Sequence, residues 1–483
     1  MGQDNVGWKT QVGTEAKKAL NIAGPMIVTN LIYFAIIMSA LMFVGHLGVL
    51  ELSSAALGNS MASVVGFTFM LGLASGLETL CGQAYGAKQY DLLGVYYQTS
   101  ILVLLSFSIL LSFLWWNMEP LLLLIGQEAE ISRQTTLYMR ALLPALWAAA
   151  VTHPTIKFLQ SQNVVLPVMV CCLTTFVVHI PLCYFLVFKF VGFLGGAWSI
   201  SIAYWLILLQ LLAYVAHSNG ARKERTWNGF VRPKIRTVGL YLRIAVPSAF
   251  MIILQFWAFE LLTLLSGLLP NPEKELSLLS ICLNTAGIMF TLPFGLSAAS
   301  STRVSNELGA DNANGAKLAT KVVLGMSILQ SSVVASAMLA LRSKWGLAFS
   351  NNPQVVQDTA SIMPLLALSL LLDGIQGPLG GVLRGCGLQD PATIATIFAF
   401  YGIGVPSAIL FGFYFKLGAK GLFGGCVCGN LTQFLLISLL VLFINWDKQV
   451  EKARERVWEQ EKEKAPSSKN FMSGDIEEPL LLA

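Results

Sequence analysis

Apolar residues gather along this chain in long runs, broken only by short polar stretches. Runs of spanning length occupy about Ala19–Val44, Ser53–Ala84, Tyr96–Trp116, Ile131–Gln160, Val164–Phe188 and Phe193–His217. After a basic connection six more follow, at about Leu240–Leu269, Ser277–Leu308, Ala316–Leu341, Val355–Arg384, Pro391–Phe415 and Leu422–Ile444. Each is long enough to cross a ~30 Å hydrocarbon layer as a helix. The expected fold is therefore an all-α polytopic membrane protein with twelve transmembrane helices. The first run is flanked by Lys9, Lys17 and Lys18 but is too long for a signal-peptide core, and no small-residue cleavage site follows it. It is expected to be retained.

Composition agrees with that pattern: 55% of the 483 residues are hydrophobic and only 12% charged, far more apolar than a soluble domain of this length. Orientation follows from the bases. With both ends cytoplasmic, the inner segments hold Lys9, Lys17, Lys18, Lys88, Lys157, a cluster from Arg222 to Arg243, then Arg303, Lys317, Lys321, Arg384 and the tail. The outer loops hold only Lys189, Lys274, Arg342, Lys344, Lys416 and Lys420, with Arg133 and Arg140 near an outer helix end. The net charge of +5 thus reflects orientation and does not call for a nucleic-acid partner.

A repeat is visible at a shift of 223 residues, which lays Phe67, Thr68, Gly72, Leu73, Thr79, Gly86 and Ala87 on Phe290, Thr291, Gly295, Leu296, Thr302, Gly309 and Ala310. The same shift lays Gln134, Thr136, Leu142 and Leu143 on Gln357, Thr359, Leu365 and Leu366. Each half has six helices, an even number, so both enter the membrane from the same side: two six-helix lobes related by a parallel pseudo-two-fold repeat, a transporter architecture with a central cavity. The expected divisions are a cytoplasmic N-terminus (1–18), an N-terminal lobe (19–217), an inter-lobe linker (218–239), a C-terminal lobe (240–445) and a cytoplasmic tail (446–483). Trp227, Phe230 and the surrounding bases read as an interfacial amphipathic segment.

The chemistry-bearing residues stand out against so apolar a background. Glu260 sits about 15 Å inside its run. An intramembrane acid costs ~2.5–3.5 kcal/mol on insertion scales and marks an ion, proton or substrate pathway. Asp373 is the second deep acid, about 27 Å from the outer end of its helix by simple counting, so the two are not expected to touch. The repeat sets Ile37 and Ala150 opposite them, which assigns coupling to the C-terminal lobe. Candidate polar neighbours are Asn284 and Thr285, together with Gln255 and Gln376. Around Asp373, Pro364, Gly374, Gly377 and Pro378 argue against an uninterrupted helix, as where irregular backbone lines a cavity. Glu78 is expected to satisfy a helix end or to pair with Lys88 or another base, Arg303 and Glu307 to form a local pair, and Lys157 and Arg384 to act as positive-inside anchors. Pro364, Pro378, Glu78 and Arg303 are structural or gating candidates.

The eight cysteines all fall within or at the ends of apolar runs and form no CxxC pair, so they read as small packing residues and neither a disulfide nor a metal site is expected. Asn430-Leu-Thr432 matches a glycosylation acceptor inside the last helix, out of reach of the transferase. A membrane-embedded enzyme would show clustered His or Asp motifs, which the sequence lacks.

Three stretches carry a resemblance. Gly76-Leu-Glu-Thr-Leu-Cys-Gly-Gln-Ala-Tyr-Gly-Ala-Lys-Gln89, Pro293-Phe-Gly-Leu-Ser-Ala-Ala-Ser-Ser-Thr-Arg-Val-Ser-Asn-Glu-Leu-Gly-Ala310 and Leu383-Arg-Gly-Cys-Gly387 look like the signatures of the MATE (multidrug and toxic compound extrusion) transporter family, in its plant-type "detoxification" branch. The resemblance covers residues 20 to 445. It implies a twelve-helix, two-lobe antiporter that exports organic compounds against protons or sodium, with Glu260 and Asp373 matching the coupling acids of the seventh and tenth helices. The first helix, with Tyr33 and Met38, lacks the aspartate that some bacterial members use, and the short loops argue against a citrate exporter.

The expected function is a proton-coupled antiporter with no cofactor, H+ favoured over Na+ as coupling ion, working by alternating access. A passive channel or lipid-linked flippase of related fold is the alternative. Tyr33, Phe34, Met38, Phe256, Trp257, Phe259, Met289 and Phe290 are the candidate cavity surface for an amphipathic, often cationic, organic metabolite or xenobiotic such as an alkaloid, with a glycosylated flavonoid or a hormone as the open alternatives. The lipid bilayer is the other partner, and a monomer is expected. Past Trp446 the composition turns polar, with charges of opposite sign at i,i+4 between Glu451 and Lys462 that suit a short cytoplasmic helix. At the C-terminus Glu477 stands four residues before the pair Leu481-Leu482, which resembles an acidic dileucine sorting signal read by an adaptor protein. That leaves the vacuolar or the plasma membrane as the expected location.

Overall fold

The computed structural model describes residues 2–221, 226–227, 229, 233–349 and 353–464, apart from the side chains of 2–6, 219–221, 272–273 and 458–464. Among these residues there is no strand. Twelve long helices follow one another: α1 (Gly2–Gly45), α2 (Val49–Gly86), α3 (Tyr90–Trp116), α4 (Ala129–Ser161), α5 (Leu166–Phe190), α6 (Leu194–Ser218), α7 (Ile235–Ser266), α8 (Lys274–Gly309), α9 (Ala313–Ala340), α10 (Pro353–Cys386), α11 (Gln389–Tyr414) and α12 (Gly418–Leu442). A thirteenth, α13 (Trp446–Lys464), follows. Eleven of the twelve are apolar enough to cross a membrane. The exception, α4, carries Glu130, Arg133, Arg140 and Lys157 and packs against α2, α3 and α6. The chain is an all-helical membrane protein, and its apolar runs became its helices.

Helix ends differ from the sequence expectation where amphipathic turns extend an apolar run. The first helix already begins at Gly2, so part of the segment expected as a separate N-terminus continues it, and Glu15 on that extension is buried. Trp227 does not lie as an interfacial anchor: it packs edge-on against Tyr97 of α3 at 5.5 Å, held by neighbouring bonds from Thr226 to Gln162 and from Gln98 to the Gly229 carbonyl. Phe230 and the bases Arg222, Lys223, Arg225 and Arg232 lie outside the described residues.

Two large apolar cores and two smaller clusters form among the described residues. The first core draws on α1 to α6, on α7 from Tyr241 to Ile253, and on a few residues of α8, α9 and α13. The second draws on the far end of α7 from Leu262 onward and on α8 to α12. Helix α7 therefore belongs to both bodies, and Glu260 stands where it passes from one to the other.

The halves meet through contacts that exchange partners under the 223-residue shift. A Cβ placed on Gly86 would stand 2.0 Å from the Asn306 carbonyl oxygen, and one on Gly309 would stand 2.0 Å from the Gln83 carbonyl oxygen. Gln83 and Asn306 are themselves 223 residues apart. Higher up, Gly72 abuts Ala249 of α7 while Gly295 abuts Ala23 and Ile27 of α1, and the shifted partner of Ala249 is Met26. Reciprocal contacts of this kind are what a two-fold relation between two bodies leaves behind. They require glycine because any side chain would push the backbones apart.

Candidate functional site

Between the two cores lies a cavity of about 520 Å³, within the range of small-molecule sites. One wall comes from α1, α2, α4 and α6, the other from α7 to α10. The lining follows helical phase. On α1 it takes Met26, Thr29, Asn30, Tyr33, Phe34 and Ile37, and on α7 Phe256, Phe259, Glu260 and Thr263, the i, i+3, i+4, i+7 stripe of a single helix face. A π-turn at Ser63–Phe67 of α2 brings Ser63 and Phe67 to the same wall.

Phase also corrects two expectations. Met38 and Trp257 each stand one residue, about 100° of turn, beyond a lining position, and neither reaches the cavity. Trp257 is 45% exposed and donates to the Val64 carbonyl at 3.4 Å. Tyr33, Phe34, Phe256, Phe259, Met289, Phe290, Gln255 and Asn284 do line it. Thr285 does not: it accepts a hydrogen bond from Trp345 at 3.0 Å on the far side of α8. Asn284 faces the cavity but bonds to the Ser280 carbonyl of its own helix, so neither residue partners Glu260.

Both deep acids open onto this one cavity, so the difference in depth does not put them in separate chambers. Their partners differ. Glu260 is half-buried and accepts a hydrogen bond from Ser60 of α2 at 3.2 Å, across the two halves. Asp373 is buried and accepts from Gln376 at 2.7 Å, from Asn430 of α12 at 2.9 Å and from Ser369 at 3.3 Å. Asn430 also donates to Ser369. No cation touches either carboxylate among the described ion pairs. Sequence reasoning named Gln376 but missed Ser60, Ser369 and Asn430. Ser369 lies at i−4 from Asp373, a spacing that could have found it. Asn430 was recognisable as one of two amides, with Gln433, in an apolar helix.

The backbone beside Asp373 is more regular than its prolines and glycines suggest. Helix α10 runs unbroken from Pro353 to Cys386 with Pro364 and Pro378 inside it. At Pro378 the neighbouring helix supplies donors: Ser297 to the Gly377 carbonyl and Ser300 to the Pro378 carbonyl, each at 2.8 Å. The carbonyl that Pro378 itself leaves without a donor is that of Gly374, so these hydroxyls dock α8 on α10 and do not fill the gap the proline makes.

Beneath the cavity is a cluster that the sequence scattered among helix ends. Glu78 of α2, 2% exposed, bonds Lys157 of α4 through one oxygen and Arg384 of α10 through the other, the latter at 3.0 Å. Lys157 and Arg384 are therefore not anchors reaching for lipid headgroups: both are buried, and Lys157 also lines the cavity. The cluster ties the halves together, for Arg384 donates to Ser297 and its carbonyl accepts from Thr79, while Gln160 donates to Thr302 and to the Ala298 carbonyl. Arg303 does more than pair with Glu307: it also holds Glu15 of the α1 extension through two bonds, at 2.6 and 3.0 Å. Helix α13 closes the same end. Arg456 donates to Gln83 of α2 and to the carbonyls of Cys386 and Gly387 at the end of α10. All eight cysteines are free thiols. Glu477, Leu481 and Leu482 lie outside the described residues.

Comparison with known proteins matches the family model MatE to residues 25–185 and 247–410. "Protein DETOXIFICATION 16" of Arabidopsis thaliana is 45% identical over 471 residues, covering 97% of this chain and 96% of the relative. The crystal structure of the eukaryotic MATE transporter AtDTX14 superposes with a TM-score of 0.88 at 41% identity, covering 92% of this chain and 100% of that one. The fold is shared more widely: an outward-facing multidrug resistance MATE family transporter of the MOP superfamily gives a TM-score of 0.80 at 15% identity, covering 91% and 97%.

Proposed function

The chain belongs to the MATE family of membrane transporters, in its plant detoxification branch, and on that premise we propose that it is a proton-coupled antiporter that exports or sequesters amphipathic, often cationic, organic metabolites and xenobiotics. The observation that carries this reading is the cavity shared by Glu260 and Asp373: two carboxylates with only neutral partners on the described residues, facing an aromatic wall of Phe256, Phe259 and Phe290. Such a carboxylate can gain or lose a proton without breaking an ion pair. It also attracts a cation, which the rings bind through their faces. Protonation and substrate then compete for one charge, which is what exchange requires.

Protons are favoured over sodium by what surrounds Asp373. The groups directed at it are the N–H donors of Gln376 and Asn430 and the hydroxyl of Ser369. A bound Na+ would need those amides turned to present their oxygens instead. The ion pairs joining the halves lie at the ends of α2, α8 and α10, on the side richest in bases. This supports a state closed toward the cytoplasm, with both termini on that side, in the vacuolar or plasma membrane. The tail signal at Glu477, Leu481 and Leu482 belongs to the same proposal.

The test is substrate uptake into proteoliposomes holding the full chain. An inside-acid gradient should drive uptake of an organic cation, dissipation of the gradient should stop it, and Glu260→Gln should lose at least about tenfold while remaining folded. Uptake indifferent to the gradient would instead indicate a passive channel or a lipid-linked flippase. Wild-type rates in Glu260→Gln would remove that residue from coupling.

A further inference from the structure

A second, smaller chamber of about 50 Å³ adjoins the main cavity. The two share Gln255, Phe256, Phe290 and Phe294. Its remaining wall includes Ser297, Gln376, Gly377, Gly380, Arg384 and Gln433. On α10 these residues continue a single face downward from Asp373, through Gln376 and Gly380 to Arg384, a drop of about 16 Å. Gly377 and Gly380 add no side chain to that face, and the Met251 methyl group lies over Gly380.

Two acceptors in this wall have no partner. The Gln376 amide gives its N–H to Asp373 and the Gln433 amide gives its N–H to Thr396 at 3.0 Å, but the side-chain oxygens of both are unsatisfied. Both residues are about 95% buried. A buried oxygen without a partner is costly, and a water needs only ~10–15 Å³ of such space together with two or more polar partners. The chamber offers that room, two acceptors and, at its far end, the Arg384 guanidinium, which holds Ser297 and Glu78.

We propose that Gln376, Gln433, Ser297 and Arg384 enclose a buried water site that transmits the protonation state of Asp373 to the Glu78–Arg384 bridge through the orientation of the Gln376 amide. This rests on the coupling role proposed above for Asp373. An ionised Asp373 can only accept, so the amide turns its N–H to the acid and its oxygen to the chamber. A proton placed on the Oδ1 that Gln376 bonds turns that oxygen into a donor. The amide then turns its oxygen to the acid and its N–H to the chamber, where the guanidinium already stands as a donor. A water that had two acceptors loses one, and the surroundings that stabilise Arg384 against Glu78 weaken. The proton comes from the main cavity and stays on Asp373; what passes down the helix is hydrogen-bond direction. The other ionisable groups facing this path are Glu260, Tyr33, His153, Lys157 and Tyr204 around the cavity, Glu78 at the bridge and Cys426 of α12 beside Asp373.

The experiment reads whether the halves part. Ser305 is fully buried where α8 meets Gly82 of α2, so Ser305→Cys in the full chain gives a near-isosteric reporter for a thiol reagent. Cys282, buried in the other core, reports unfolding. All measurements share one pH, so reagent chemistry is constant. Asp373→Asn, which can donate as the protonated acid does, should raise labelling of the reporter roughly tenfold. Adding Gln376→Leu, or separately Gln433→Leu, should return it to within about twofold of the reporter alone, with Cys282 unlabelled throughout. Should either leucine variant expose Cys282, the other decides the outcome. The proposal is overturned if Asp373→Asn leaves labelling unchanged, or if its effect survives in full in the double variants. Gradient-driven transport of Asp373→Asn separates the two readings: retained transport removes the coupling role, whereas lost transport with unchanged labelling removes only the relay.

Discussion

Glu78 and Asp373 are both buried acids facing the same interface, yet they are solvated in opposite ways. Glu78 lies between two cations, Lys157 and Arg384. Asp373 is held by two amides and a hydroxyl. An acid fixed by ion pairs joins structural parts, because removing it strands two buried cations. An acid fixed by neutral donors can change its charge and leave its partners satisfied. The difference separates a fastening from a working group within one helical bundle, and sequence depth alone does not reveal it.

The most severe way to break the comparison is Glu78→Gln. Leaving buried cations without their acid costs about 3–5 kcal/mol, so the purified variant should melt far below the wild type and yield little folded protein. An unchanged melting temperature would mean that the bridge holds nothing together. Next is Gly309→Ala, whose methyl group would press on the Gln83 carbonyl oxygen. Overpacking against backbone should cost ~1–3 kcal/mol, whereas Gly239→Ala, with open space around it, should be neutral or slightly stabilising. Equal melting of the two variants would refute the close approach of the halves. Asp373→Asn keeps most of its neighbours and should change stability by less than about 1 kcal/mol, even as gradient-driven transport falls. A large loss of stability would make Asp373 a fastening like Glu78. Smallest is Arg454→Ala: its bond to Asp311 is exposed on both sides, so thermal unfolding should shift by no more than ~1 kcal/mol.

Much of the fold was legible because lipid permits so few solutions. Uninterrupted apolar runs became helices, and the 223-residue repeat reappears in the reciprocal contacts of Gly86 with Asn306 and Gly309 with Gln83. The cavity-facing side was readable from helical phase at Tyr33, Phe34, Phe256, Phe259 and Phe290, and misread at Met38 and Trp257, where bulk was taken for direction. The ion cluster was not legible. Glu78, Lys157 and Arg384 are scattered along the chain, each near the end of a different helix, and a base near a helix end suits a lipid anchor as well as a partner. Only the crossing of α2, α4 and α10 decides between them. The same holds for Glu15 and Asn430, whose partners lie far away in sequence.

Helix α13 has a consequence for how the molecule is made. It is the last described helix to leave the ribosome, and its binding site does not exist until α2 and the end of α10 stand side by side. Arg456 needs Gln83 from the first half and the Cys386 and Gly387 carbonyls from the second, while Val457 enters the first core and Val450 and Ala453 pack on α8, α9 and α10. Its seating therefore cannot precede the meeting of the two halves, and the seated helix marks that they have found each other.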